Sequence, residues 1–252
     1  MTVSNGFGNG FGSNLGWDGF GSGFYRPPTN LVLNGLVLRY EIADSVSYPG
    51  SGTTVTDLQG NSNATLVNGP IYADGYLTFD GVNDYLMTST SLASKVVTDI
   101  TSISMWAYPM DNGVLLSERG EASLASGWHD SQMEMVGGTM KFGMWNGAGI
   151  STIASTIATP LNAWYNFTIV YDGTKLIAYV NGSSAGTVTF ARENPVEGGV
   201  GIHYAIAGED FTDMGDGGYA NMRLGQFLVY NRALTESEVL QNFNVTKGRY
   251  GL

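Results

Sequence analysis

Residues 164–182 carry the clearest alternation in the chain. In WYNFTIVYDGTKLIAYVNG, Tyr165, Phe167, Ile169 and Tyr171 share one side of a period-two register, and Trp164, Asn166, Thr168 and Val170 share the other. Successive strand side chains point to opposite faces, so one apolar row is expected to meet a core. Asp172-Gly173 suits a tight hairpin turn, Lys175–Val180 reads as the return strand, and Asn181-Gly182 turns the chain again. The same pattern predicts strands over 31–40, 76–79, 85–87, 103–108, 115–117, 133–136, 140–145 and 221–230, with Gly137-Gly138 joining the two strands beside it. Repeated short strands favour two packed antiparallel sheets. The clearest helix lies over 235–243: Thr235 and Glu238 have capping-box spacing, Leu234 and Val239 suit a hydrophobic staple, and Val239, Leu240 and Phe243 offer an apolar side.

Composition narrows this picture. A chain of 252 residues can bury a substantial core, and a β-sandwich of this length can be one domain. Its 36 glycines, about twice ordinary usage, fit many tight turns, and 14 Tyr, 11 Phe and 5 Trp supply strand-compatible bulk. With 22 acidic against 11 basic residues the formal charge is -11, so direct nucleic-acid binding would work against the overall field. The absence of cysteine removes disulfides and thiolate chemistry. The opening MTVSNGFGNGFG has neither the basic segment nor the apolar run of a secretory signal, and no later run is long enough for a membrane span, so no membrane insertion is expected.

The chain divides by composition near residue 30. Ahead of that point Phe7, Phe11, Trp17, Phe20 and Phe24 are spaced by Gly, Asn and Ser before Pro27-Pro28. Glycine discourages regular structure while the rings can bury themselves in grooves of another molecule, so 1–30 reads as an assembly-binding arm. Residues 31–252 read as one sandwich domain.

Three stretches carry a more specific pattern: Gly35-Leu36-Val37-Leu38-Arg39-Tyr40, Phe79-Asp80-Gly81-Val82-Asn83-Asp84-Tyr85, and Leu224-Gly225-Gln226-Phe227-Leu228-Val229-Tyr230-Asn231-Arg232-Ala233-Leu234. With the 164–182 hairpin they resemble the laminin G-like branch of the concanavalin A-like lectin/glucanase group, over roughly 31–246. The resemblance implies an all-β, antiparallel jelly-roll sandwich, here with a short C-terminal helix and an N-terminal Gly/aromatic arm. Its rim loops would bind carbohydrate, protein or calcium, and it does not imply catalysis, because many members of the group are noncatalytic. The arm itself resembles an accessory of bacteriophage particle proteins.

Tests for chemistry give limited candidates. The glucanases of the group typically carry E-x-D-x-x-E, whereas the nearest segment here, Trp128 to Glu134, offers only Asp130 and Glu134 for one strand face. No catalytic residue is assigned. His129 and His203 stand without cysteine partners and do not make a zinc set. Glu209, Asp210, Asp213 and Asp216 place four carboxylates in one loop, the hard oxygen ligands that calcium prefers, although no cofactor is required. Asp80, Asn83, Asp84 and Tyr85 form a polar turn suited to holding itself together or to gripping sugar hydroxyls. Arg119 and Glu121 are close enough in sequence to pair, and Trp106, Trp128, Trp145 and Trp164 read as core or rim residues rather than a shared sugar platform.

Two functional classes follow. The leading expectation is a noncatalytic phage virion structural or decoration protein on the virion exterior, held to capsid or tail proteins by its aromatic arm. The alternative is the carbohydrate-recognition module of a host adhesin, with host-surface carbohydrate as its partner.

Overall fold

The computed structural model describes residues 30–125, 128–192, 201–209 and 218–252. Among these, sixteen strands follow in chain order: β1 (Leu36–Glu41), β2 (Thr54–Val55), β3 (Ala64–Val67), β4 (Ile71–Ala73), β5 (Tyr76–Asp80), β6 (Tyr85–Thr88), β7 (Thr101–Pro109) and β8 (Gly113–Arg119). They continue as β9 (His129–Val136), β10 (Thr139–Trp145), β11 (Ile150–Ala154), β12 (Tyr165–Tyr171), β13 (Lys175–Val180), β14 (Ser183–Thr189), β15 (His203–Ile206) and β16 (Asn221–Tyr230). Helix α1 (Glu236–Thr246) and a 3₁₀ turn (Lys247–Tyr250) close the chain.

The strands form two antiparallel sheets. The first runs β14-β13-β12-β7-β16-β5-β4, with β1 also on β16, and the second runs β11-β10-β9-β8-β15-β6-β3-β2. In the first sheet β16 lies against β7 along one edge, and its other edge takes β5 over Asn221 to Leu224 and then β1 over Gln226 to Tyr230. Gly225 stands at that junction, where the pairing with β7 bulges.

The predicted hairpin is β12–β13. Asp172 Oδ1 accepts hydrogen bonds from the Thr174 and Lys175 backbone N–H groups at 2.9 and 3.0 Å, which fixes the first turn. Asn181 and Gly182 have φ of 52° and 77°, the left-handed pair that matches the twist of a two-residue hairpin loop. Tyr165, Phe167, Ile169 and Tyr171 pack into the main core with residues of both sheets, such as Phe142, Tyr204 and Phe227. Asn166, Thr168 and Val170 of the opposite row are buried as well, because α1 and the segment at Leu31 and Val32 cover that face: Val170 joins Leu228, Tyr230, Leu234 and Val239 in a second apolar cluster.

Two local expectations change. The strand predicted over 31–40 begins only at Leu36, since Leu36 N–H donates to Leu33 O across a turn at 3.1 Å. Leu31 and Val32 are buried instead against α1, where Asn242 Oδ1 accepts from Val32 N–H and Asn242 Nδ2 donates to Tyr230 Oη, both at 2.9 Å. The helix keeps its capping box at Thr235 and Glu238 and its staple between Leu234 and Val239. Its buried side, however, is Val239, Asn242 and Thr246, while Leu240 is 43% exposed. Asn242 takes the interior place because it satisfies buried polar groups from two other segments.

Candidate functional site

The Asp80 turn is built by its own backbone. Asp80 Oδ1 accepts from the N–H of Val82 at 2.8 Å, Asn83 at 3.3 Å and Asp84 at 3.4 Å, and the Val82 bond is the main reason its carboxyl is held below the ordinary carboxylate range. Asp84 is buried beside it, and burial followed by the Asp80 charge pushes its pKa up. The Asn83 carbonyl accepts from Asn68 Nδ2 at 2.7 Å. Of the four expected residues Tyr85 turns to a cleft of about 350 Å³ on the outer face of the second sheet, which it shares with Thr65, Val67, Met87 and Ser89. The Asp80 carboxylate therefore holds the turn, and the cleft that Tyr85 lines is a hydroxyl-rich surface.

In the acidic loop, Asp210, Asp213 and Asp216 lie outside the described residues. Glu209 is fully buried and meets the equally buried Arg119 guanidinium at 2.5 Å. Arg119 also donates to Leu124 O, so the ion pair ties the segment after β8 to the end of the 201–209 segment. Glu209 thus carries a structural charge partner. Among the described residues no three His, Cys, Asp or Glu side chains gather as a metal site. The five aromatic arm residues, Phe7, Phe11, Trp17, Phe20 and Phe24, also fall outside the described residues.

Asp130 and Glu134 do not share a face. Leu116 pairs with Met133 but Ser117 pairs with Ser131, so a bulge at Gln132 shifts the phase of β9. Asp130 then lies beside Glu118 on the core side with Met133, and Glu134 lies on the other side opposite Val114 and Lys141. Glu118 accepts from Arg192 Nη2 at 2.5 Å and Gln132 Nε2 at 2.8 Å, while Trp145 N–H donates to Asp130 Oδ2 at 2.9 Å. The two neighbouring carboxylates are packed between the sheets and neutralised there, which is how a sandwich interior tolerates acid groups.

A different constellation lies on the outer face of the first sheet. Arg223 of β16 pairs with Tyr108 of β7 on one side and with Thr78 of β5 on the other, and Tyr76 lies two residues along β5 from Thr78. Their alternate neighbours Leu77, Ala107, Met222 and Leu224 face the core, so the period of two places Tyr76, Tyr108 and Arg223 outward. Trp164 packs edge-on against both tyrosines, with ring centroids 5.6 Å from Tyr76 and 5.5 Å from Tyr108. Tyr250, from the 3₁₀ turn, lies 4.7 Å from Trp164 and stacks at 4.0 Å on Trp106, whose indole N–H donates to Thr246 Oγ1. That stack is possible because residue 225 has no side chain: a Cβ there would meet Tyr250 Oη at 2.4 Å. Trp106 is fully buried, whereas Tyr76, Tyr108, Trp164, Arg223 and Tyr250 are half-buried. Beside them a cleft of about 190 Å³ is lined by Ala43, Asp74, Gly75, Tyr76, Trp164, Arg249 and Tyr250, and Arg249 is held at its rim by an ion pair with buried Glu41.

Sequence reasoning treated Trp164 as core or rim and passed over Tyr76, Tyr108, Arg223 and Tyr250. The outward alternation of Tyr76, Tyr108 and Arg223 was legible in their own strands. Their convergence needed the strand order.

Two antiparallel sheets over a common core, with a half-exposed aromatic face beside a small cleft, define a lectin-like sandwich. The family model described as the concanavalin A-like lectin/glucanases superfamily, of the laminin G type, matches residues 80–240, and the chain belongs to that family. Among solved structures, Trypanosoma rangeli sialidase in complex with sialic acid is similar at 16% identity and a TM-score of 0.62, over 85% of this chain and 33% of that one. The binding domain of Paraclostridial Mosquitocidal Protein 1 is similar at 18% identity and a TM-score of 0.60, over 83% of this chain and 52% of that one. The binding domain of botulinum neurotoxin DC in complex with SialylT matches at 12% identity and a TM-score of 0.56, over 83% of this chain and 51% of that one. The chain thus spans about a third to a half of the length of these proteins, and the likeness is one of fold. No curated protein matches the chain. Among the described residues no helix is long and apolar enough to cross a membrane.

Proposed function

We propose that the chain is a noncatalytic carbohydrate-recognition module, a jelly-roll sandwich that binds saccharide on the outer face of its first sheet. The observation that carries this reading is the half-exposed set of Tyr76, Tyr108, Trp164 and Tyr250 beside the Asp74–Arg249 cleft. Aromatic rings left partly in water offer a flat apolar face to the C–H side of a sugar ring. The polar groups at the cleft rim, Asp74 and Arg249, can then meet its hydroxyls. Membership of a family that includes lectins supports the reading, as does the sugar-bound state of two of the similar structures.

A noncatalytic role fits the carboxylates. Glycoside hydrolysis needs two acid groups flanking a bound substrate. Here the neighbouring pair Glu118 and Asp130 is packed in the interior with Arg192, and Glu134 faces away from them.

A glycan array probed with the full chain, followed by titration calorimetry on any hit, tests the proposal. Specific binding is expected, and Trp164→Ala is expected to weaken it by about five- to thirtyfold, since stacking a ring on an aromatic side chain contributes on the order of 1–2 kcal/mol. No binding to any glycan, or binding that Trp164→Ala leaves unchanged in a folded variant, would overturn it.

A further inference from the structure

Resting on the carbohydrate reading of the same face, the geometry points to an acidic saccharide as the ligand, with the Arg223 guanidinium receiving its carboxylate or sulfate group. The guanidinium carbon lies 5.0 Å from the Tyr76 ring centroid and 4.8 Å from the Tyr108 centroid. Every other arginine among the described residues is ion-paired: Arg39 and Arg249 with Glu41, Arg119 with Glu209, Arg192 with Glu118 and Arg232 with Glu238. Among the described residues Arg223 has no such carboxylate. Its Nε is buried without a hydrogen-bond partner, while the side chain as a whole is half-buried.

An unpaired, partly desolvated cation is costly unless something offsets it. In a chain with 22 acidic side chains a partner would be easy to supply, so its absence at this one position is informative. The tyrosine faces supply part of the compensation through cation–π attraction, and they hold the planar fork at the face instead of letting it sweep through solvent. What remains is a set of N–H donors whose geometry matches a carboxylate or sulfate.

The position relative to Trp164 strengthens the inference. Tyr76 and Tyr108 each touch Trp164 and Arg223, so the indole and the guanidinium flank the same two rings. A disaccharide with one ring on Trp164 is long enough to bring an acidic substituent to Arg223. The net charge of -11 opposes polyanions at long range. At physiological salt that repulsion is screened beyond about 8 Å, whereas a contact hydrogen bond is not. Short acidic oligosaccharides are therefore favoured over highly charged polymers.

The test is calorimetric titration of the full chain with three probes: a uronate disaccharide, the same disaccharide as its neutral methyl ester, and a sulfated disaccharide of the same backbone. At least one acidic probe is expected to bind about tenfold or more tightly than the ester, the usual gain from a charge-assisted hydrogen bond. Which acidic probe binds better tells carboxylate from sulfate. Arg223→Gln is expected to remove that preference, so that the acidic probes bind no more tightly than the ester, and Arg223→Lys to retain only part of it. Should Arg223→Gln fail to fold, the side-chain N–H resonance of Arg223 in the unaltered chain is expected to shift with either acidic probe and not with the ester. Equal binding of all three probes, or a preference that survives Arg223→Gln, overturns the acidic-ligand assignment alone. Failure of every probe, and of the glycan array, overturns the carbohydrate reading beneath it.

Discussion

Replacing Gly225 with alanine measures how closely the C-terminal turn is seated on the first sheet. The added Cβ would stand 2.4 Å from Tyr250 Oη and 2.5 Å from its Cε1. Ordinary contact begins near 3.5 Å. The ring has little room to yield, because Trp106 lies 4.0 Å from it and Trp164 4.7 Å. Two effects then oppose each other. Removing a glycine from a strand favours the folded state by about 0.5–1 kcal/mol. Lifting the ring forfeits two aromatic contacts, about 1–3 kcal/mol together, and crowding a packed site costs about 1–3 kcal/mol more. Destabilisation wins, with an expected net loss of roughly 1–5 kcal/mol. Urea unfolding followed by tryptophan fluorescence reads the loss, and near-ultraviolet circular dichroism reads the disturbed Trp106–Tyr250 stack. Placed on a Tyr250→Ala background, Gly225→Ala should cost nothing, since the obstructing ring is gone. Unchanged stability of Gly225→Ala, or an equal cost with and without Tyr250, would refute the reasoning.

Two further predictions concern charge. Glu209→Ala removes the carboxylate that faces the buried Arg119 guanidinium and is expected to cost about 3–5 kcal/mol, whereas the apolar pair Arg119→Met with Glu209→Leu should come close to the parent. Calorimetric melting checks this: the single change should lower Tm by roughly 6–20 °C, and a double variant less stable than the single one would show that the pair is not the cause. Glu238, whose carboxyl is pulled down to about 2 chiefly by its hydrogen bonds to Arg232, lies below its ordinary value of 4.5. Its contribution is therefore present above pH 4.5 and lost as pH falls towards 2. With solvent screening at this partly exposed pair, Glu238→Gln should lose about 1 kcal/mol at neutral pH. The difference from the parent should shrink between pH 4.5 and 2 in urea titrations, and a difference that stays constant with pH would contradict the assignment.

The sequence made the long apolar alternations legible. The bounds of β16 and the Thr235 capping box were readable because each depends on neighbours within a few residues. Strands such as β2 and β14 escaped because they are short or polar edge strands, shaped by the partner they join rather than by their own residues. Asp130 and Glu134 misled for a physical reason: period-two counting assumes an unbroken ladder, and one bulge at Gln132 reverses every face beyond it. The aromatic face was hidden differently. Tyr76, Tyr108, Trp164, Arg223 and Tyr250 come from five separate segments, and only β16, set between β5 and β7, brings them together.

That placement of β16 also bears on how the chain reaches its fold. The strand that completes the first sheet is the last one in the sequence, and it bonds β7 on one side and both β5 and β1 on the other. Until residue 230 has left the ribosome, those three strands have no partner along the edges that β16 will occupy. Closing loops of that span is entropically slow, and open strand edges invite pairing with other chains. Folding of the first sheet is thus committed late, and chains cut short before β16 should accumulate as aggregates rather than as a partial sandwich.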